Sequence, residues 1–237
     1  MADFAYLIEP PFNYRRPDGT VTGCDVELAR TVLAMAGVRD VTMAETEFAQ
    51  LLPGLDDGRW RMTTGLFSTQ ERRRFAAFSR PIWALPDGLL VRQGNPMRLT
   101  GYRSAAQAEG CVLAVIRDQF QHRSAIGFGV PKERILILET YADAAAAILD
   151  GRADGYASVA RAHGGYLEQN RGLPLETVIV GRDEKEPAFG SFAFRKSDAI
   201  LRQAVDDALL AYLGSGEHRA MMKTFGFDDA EIDLVAG

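Results

Sequence analysis

The arginine run Arg72-Arg73-Arg74, entered through Ser68-Thr69-Gln70-Glu71, is the first place where this chain could hold a charged small molecule. A guanidinium fork matches a carboxylate bidentately, so one arginine of such a run can clamp an acid. Taken alone, the run reads first as a solvated basic surface. Ser158, His163 and Asp154 are by type a nucleophile, a base and an orienting acid. Their close spacing along a strand-to-helix segment does not bring a base to a serine, so acyl transfer is not expected. His122, His163 and His218 lack any H-x-x-x-H spacing. Solvated or capping roles are expected of each, and a metal site is not. No G-x-x-x-x-G-K or G-x-G-x-x-G opens a helix, and no G-x-S-x-G elbow exists. Nucleotide cradles and hydrolase nucleophiles are therefore not expected, and neither is a cofactor. The acid pairs Asp56-Asp57 and Asp228-Asp229 sit beside turn residues and read as solvated ends.

Strand and helix patterns alternate along nearly the whole chain, which predicts an α/β fold. Strands are expected at 3–8, 41–44, 62–66, 89–91, 111–116, 135–138, 155–159, 177–180 and 191–194. Helices are expected at 26–35, 47–55, 119–126, 141–149, 160–169 and 199–213, with a last one ending near Phe225-Gly226. Asp25 is the expected N-cap of the first helix and Gly37 its stop. Asp18-Gly19 marks a hairpin-type turn. Ser68 to Glu71 has the form of a capping box opening a short helix. These elements make one α/β unit, a second one and a return. Lobe 1 is expected at 1–88 with 187–237 and lobe 2 at 89–186, with crossings near 86–92 and 183–188.

Composition limits the classes of function. The 237 residues are 47% hydrophobic and 25% charged, ordinary globular values. Lys plus Arg number 27 against 32 Asp plus Glu, a net charge of −5, so a nucleic-acid partner is not expected. No apolar run approaches the ~20 residues of a membrane span. Cys24 and Cys111 make no disulfide framework and read as small buried hydrophobes, one in each lobe. Met1 to Pro10 carries no signal-peptide pattern. The chain is read as one whose leader has been removed, and as cytoplasmic if it is complete.

Three segments in order carry a resemblance. The first is Glu9-Pro10-Pro11-Phe12-Asn13-Tyr14, Asp18-Gly19 and Gly23-Cys24-Asp25-Val26-Glu27-Leu28-Ala29. The second is Leu52-Pro53-Gly54-Leu55, Gly58-Arg59, Gly65 to Arg72 and Phe78-Ser79-Arg80-Pro81. The third is Leu149 to Asp154 followed by Phe192 to Asp198. Together they resemble the extracytoplasmic solute-binding proteins of polar amino-acid ABC importers, family 3. The resemblance implies a two-lobed, type II periplasmic-binding-protein fold that closes by a hinge around its ligand without catalysis. It implies a small zwitterionic ligand in the cleft between lobes, a membrane permease as partner, a monomer, and a periplasmic or cell-surface location.

The resemblance also assigns residues. Arg72 matches the arginine that holds the ligand's α-carboxylate. Phe12, Phe48 and Phe67 match positions that sandwich the ligand, and Glu9 ends the first strand facing the cleft. A carboxylate with three aromatic faces suits a delocalised or alkylated cation, each ring contact being worth about 0.5–2 kcal/mol. Glu9, Phe12, Phe48, Phe67 and Arg72 are similar to the lobe-1 set of the ectoine-binding branch. In lobe 2, the family's acid for an α-ammonium would fall at Val159, or at Ser158 with a shift of one, and neither is charged. Arg117-Asp118-Gln119-Phe120 stands where the family has a Gly-Thr-Thr-like loop. Gln119 and Phe120 are expected to shape the lobe-2 wall, with Asp118, Arg117 and Ser158 as further candidates. A conventional L-amino-acid receptor, with Asp118 or Glu9 taking the ammonium, is the alternative. A cyclohexadienyl dehydratase-like enzyme on the same fold, with Glu9 as general acid, is the alternative of another class.

Overall fold

The structure is a computed structural model that describes residues 2–236. Its chain divides into two compact units, Met1–Ala84 with Phe189–Gly237, and Leu85–Ala188.

The first unit begins with β1 (Ala2–Tyr6), where Phe4, Ala5 and Tyr6 are all buried. The hairpin β2 (Tyr14–Arg15) and β3 (Val21–Thr22) turns through Asp18-Gly19, with Gly19 at φ +82°. Helix α1 (Cys24–Met35) buries Val26, Leu28, Ala29, Val32 and Leu33, spaced to make one apolar face. Then come β4 (Met43–Glu45), a 3₁₀ turn over Phe48–Gln50, α2 (Leu51–Asp56), β5 (Trp60–Phe67), a second 3₁₀ turn over Arg72–Arg74, and β6 (Ala76–Leu85).

The second unit runs β7 (Asp87–Arg92), α3 (Tyr102–Gln107), β8 (Leu113–Ile116), α4 (Phe120–Gly127), β9 (Ile135–Leu138), α5 (Tyr141–Leu149), β10 (Gly155–Val159), α6 (Ala160–Gln169) and β11 (Leu175–Ile179). The chain then returns through β12 (Ala188–Arg195), α7 (Ala199–Tyr212), α8 (Gly216–Thr224) and α9 (Asp229–Asp233).

Each unit carries one five-stranded sheet, ordered β4-β1-β5-β12-β6 in the first and β11-β7-β10-β8-β9 in the second. In the first, β1 is parallel to β4 and β5, and β12 runs antiparallel to β5. In the second, β8 is parallel to β9 and β10, and β7 runs antiparallel to β10. Parallel strands covered on both faces read as near-continuous apolar runs, as in Leu113 to Ile116, all buried.

Several expectations are corrected. Gly23, not Asp25, is the N-cap of α1, and Asp25 lies inside the first turn, fully buried. Glycine is required there: at φ +130° a Cβ would sit 2.0 Å from the Phe12 carbonyl oxygen. The short helix expected to open at Ser68 is a 3₁₀ turn that opens at Arg72, with Glu71 at its N-cap. Thr69 Oγ1 accepts from the Arg72 N–H at 3.2 Å. The helix expected over 47–55 is a 3₁₀ turn followed by the short α2. Cys24 and Cys111 are not joined in a disulfide and are buried, one in each unit.

His163 and His218 are fully buried rather than solvated. His163 Nε2 lies 3.1 Å from the Gly88 carbonyl, which can only accept, so Nε2 carries the proton. Nδ1 then accepts from the Tyr141 hydroxyl at 2.6 Å. His218 Nδ1 accepts from Gly214 N–H at 3.1 Å, just beyond α7. Burial pushes both imidazoles down from 6.5 to about 4, with the Arg219 charge adding to the effect at His218. The unfolded chain therefore binds more protons than the native one between these values, and the neutral histidines' contribution to stability is lost as pH falls below 6.5. Chemical denaturation at about pH 7.5 and about pH 5 should show lower stability at the acid value. In His163→Gln, which keeps one donor and one acceptor, the drop should shrink by the share of about one proton.

Candidate functional site

The loop after β1 folds back on itself. Glu9 N–H donates to the Asn13 carbonyl at 2.9 Å, and the N–H groups of Phe12 and Asn13 both donate to the Glu9 carbonyl. Glu9 is thereby fixed in the loop three residues beyond β1, which ends at Tyr6 and not at Ile8 as expected, with 9% of its surface exposed. Helix α1 holds this loop from the other side. Its first-turn donors Cys24 N–H and Asp25 N–H take the carbonyls of Pro11 and Phe12 at 2.9 and 3.1 Å.

Below the loop lies the Asp25 carboxylate. Its Oδ2 accepts from the Thr64 hydroxyl at 2.6 Å and from Gly65 N–H at 2.8 Å. Its Oδ1 accepts from Trp83 Nε1–H at 3.0 Å and from the Cys24 thiol at 3.8 Å. Burial pushes this carboxyl's pKa up, and the four donors pull the other way. Thr64 Oγ1 also accepts from Asn13 Nδ2 at 2.9 Å. One line of hydrogen bonds thus joins β5, α1, β6 and the Glu9 loop.

Trp83 is the centre of the unit's aromatic group. Its ring centroid lies 5.5 Å from that of Phe12 and 5.7 Å from that of Phe67, the latter edge-on at 74°. Phe12 also meets Phe227 at 6.5 Å. The indole lies against Gly65 of β5 and Gly190 of β12, where an added Cβ would come within 2.6 and 2.1 Å of its ring.

Arg72 departs from its neighbours. Arg73 and Arg74 are exposed, whereas Arg72 keeps 8% of its surface. Its Nη1 donates to the Phe67 carbonyl at 3.1 Å, and its Cζ stands 5.3 Å from the Phe48 ring centroid. The reading of this run as a uniformly solvated surface is thus wrong for its first member. Within the first unit the structure links Phe12 and Phe67 through Trp83, Phe67 and Phe48 through Arg72, and Glu9 to Phe12 through the loop backbone.

In the second unit, Gln119 is buried at the N-cap of α4, and Phe120 begins the helix half-buried. Asp118 before them is exposed with φ +61°, a left-handed backbone unusual outside glycine. Arg117 pairs with Glu139 at 2.7 Å on the exposed side. Ser158 is buried on β10, opposite Gly88, and Val159 beside it is a buried apolar residue. Phe120 carries a resident cation, since Lys185 Nζ stands 4.8 Å from its ring centroid. That ammonium pairs with the buried Asp87, which also accepts from the Tyr102 hydroxyl and from Gln121 Nε2. Asp25, Trp83, Asp87 and Lys185 were not among the residues the sequence singled out for the site.

His163 is engaged by Tyr141 and Gly88, and Asp154 meets Val112 N–H at 2.9 Å and Arg92 at 3.8 Å, so the Ser158 triad does not form. Among the described residues no group of three or more His, Cys, Asp or Glu could hold a metal ion. No helix among them is long and apolar enough to cross a membrane.

The model of the family "Bacterial extracellular solute-binding proteins, family 3" matches residues 5–228. A probable amino-acid ABC transporter periplasmic-binding protein of Sinorhizobium fredii is 31% identical, over 96% of this chain and 77% of its own. The arginine-binding protein ArgT of Corynebacterium glutamicum is 28% identical, over 94% of this chain and 73% of its own. The crystal structure of EhuB in complex with hydroxyectoine matches with a TM-score of 0.87 at 28% identity, covering 100% of this chain and 94% of that one. The chain belongs to the family 3 extracellular solute-binding proteins, and its fold is that of the two-lobed periplasmic binding proteins.

The contact between Gly190 and Trp83 yields a stability test. Gly190→Ala should destabilise the protein by roughly 1–3 kcal/mol in urea unfolding, because the methyl has no room beside the indole.

Proposed function

We propose that this member of the solute-binding family is the receptor of an ABC importer and takes a small zwitterion whose cation is cyclic, alkylated or delocalised. In the first unit Glu9 would face the cation, Arg72 would take the carboxylate, and Phe12, Phe48 and Phe67 would supply ring faces. The second unit would add Gln119 and Phe120. The observation that carries this reading is the placement of Arg72. It is buried while its two neighbours are exposed, and it is braced by the Phe67 carbonyl and the Phe48 ring. A fixed guanidinium loses little freedom when it binds a carboxylate, which favours affinity.

The likeness to a hydroxyectoine-bound protein supports an ectoine-like ligand, a cyclic amidinium carboxylate. The absence of charge at Ser158 and Val159 supports it as well, since a primary ammonium has no acid there. The likeness to an arginine-binding protein supports a second reading, a basic L-amino acid held by Glu9 or Asp118. Relatives named as transport binding proteins support a receptor without turnover, a membrane permease as partner and an extracytoplasmic location.

Calorimetric titration with ectoine, hydroxyectoine, glycine betaine and L-arginine separates these readings. Ectoine or hydroxyectoine should bind the wild type. Glu9→Ala and Arg72→Ala should each weaken that binding at least tenfold, about 1.4 kcal/mol. Unchanged affinity in both variants would remove the site assignment, and binding of L-arginine alone would select the second reading.

A further inference from the structure

We infer that Trp83 sets ligand selectivity by fixing the spacing of Phe12 and Phe67, and that Asp25 is the positioning residue that holds Trp83 and the Glu9 loop in one register. The inference rests on the proposed site in the first unit and adds two residues to it.

The indole is constrained from several directions. Gly65 and Gly190 leave it a slot that no larger residue would leave, with Cβ approaches of 2.6 and 2.1 Å. Phe12 and Phe67 both pack on it, at 5.5 and 5.7 Å between centroids. Its remaining degree of freedom, sliding within the slot, is stopped by the Nε1–H bond to Asp25 at 3.0 Å. An indole held in this way sets where Phe12 and Phe67 can pack against it. A cation between aromatic faces depends steeply on its distance from each ring, so ring spacing discriminates between a compact cyclic cation and an extended one.

Asp25 acts on the other half of the site through a different oxygen. Oδ2 fixes Thr64 at 2.6 Å, Thr64 fixes the Asn13 amide at 2.9 Å, and Asn13 is the backbone partner of Glu9. The same carboxylate thus sets where the rings stand and where the Glu9 loop stands.

Trp60 and Trp83 are the chain's two tryptophans, so incorporation of 5-fluorotryptophan gives two fluorine resonances. Trp83→Phe assigns them by loss. Trp60 packs in the core around Leu51 and Leu55 and serves as the internal reference. Addition of hydroxyectoine to the otherwise unaltered protein should shift the Trp83 resonance and leave that of Trp60 in place. In calorimetry, Trp83→Phe and Asp25→Asn should both change the ratio of hydroxyectoine to L-arginine affinity at least fivefold and in the same direction. Asp25→Asn should also broaden the Trp83 resonance. If the wild type binds but the Trp83 resonance does not move, or the affinity ratio is unchanged in both variants, the inference fails and the receptor reading stands. If the wild type binds neither ligand, the receptor reading fails and this inference falls with it. The fluorine measurement on unsubstituted protein and the affinity ratio of Trp83→Phe together test the inference even if Asp25→Asn does not fold.

Discussion

A buried carboxylate must find its donors inside the protein, and Asp25 finds four: a hydroxyl, a backbone N–H, an indole N–H and a thiol. The donors come from three elements. Thr64 and Gly65 belong to β5, Trp83 to β6, and Cys24 to the first turn of α1. Leaving a buried acceptor unpaired costs about 1–3 kcal/mol, and more when it is charged. The three elements therefore have little freedom to shift relative to one another without exposing that cost. The mixed sheet of the first unit supplies the frame, and the placement of α1 and β6 relative to β5 is fixed by a polar group as well as by packing.

The second unit solves the same problem differently. Asp87, also buried, is met by a cation as well as by neutral donors, with Lys185 joining Tyr102 and Gln121 around it. A buried ion pair is weak evidence for stability but strong evidence of a fixed arrangement, because removing either partner leaves a stranded charge. Here it pins the segment before β12 to the first strand of its own unit. Glu184 adds a second tie by accepting from Tyr102 N–H at 2.6 Å at the start of α3. The cation this unit holds over Phe120 is its own.

Where local chemistry decides the structure, the sequence was easily read. Strands 135–138 and 155–159 and helices 141–149 and 160–169 fall where the alternation of strand and helix patterns places them. Strand β6 escaped because Pro81 interrupts it, and proline is tolerated there because β6 lies at the edge of its sheet. Helix α3 escaped because its signal is a Gly101–Ser104 exchange instead of an apolar face. Asp25 looked like a cap because its type and position suit one. The partners that draw it inward, Thr64 and Trp83, are 39 and 58 residues away and invisible to any window. Of the proposed site, the residue types and the buried arginine were legible through the family resemblance. The indole that joins two of the phenylalanines was not, since nothing local to Trp83 indicates what it touches.

The slot formed by Gly65, Gly190 and Trp83 makes three distant positions share a single volume. Changes there cannot be judged one at a time. A methyl group at position 190 is an intrusion beside a full indole, yet beside a smaller ring it would fill a cavity and help. The sign of one substitution then depends on whether the other has already occurred. A route from this aromatic arrangement to another must shrink the ring before it enlarges the glycines, so the order of steps, as well as their number, limits how readily this group of rings can be rebuilt.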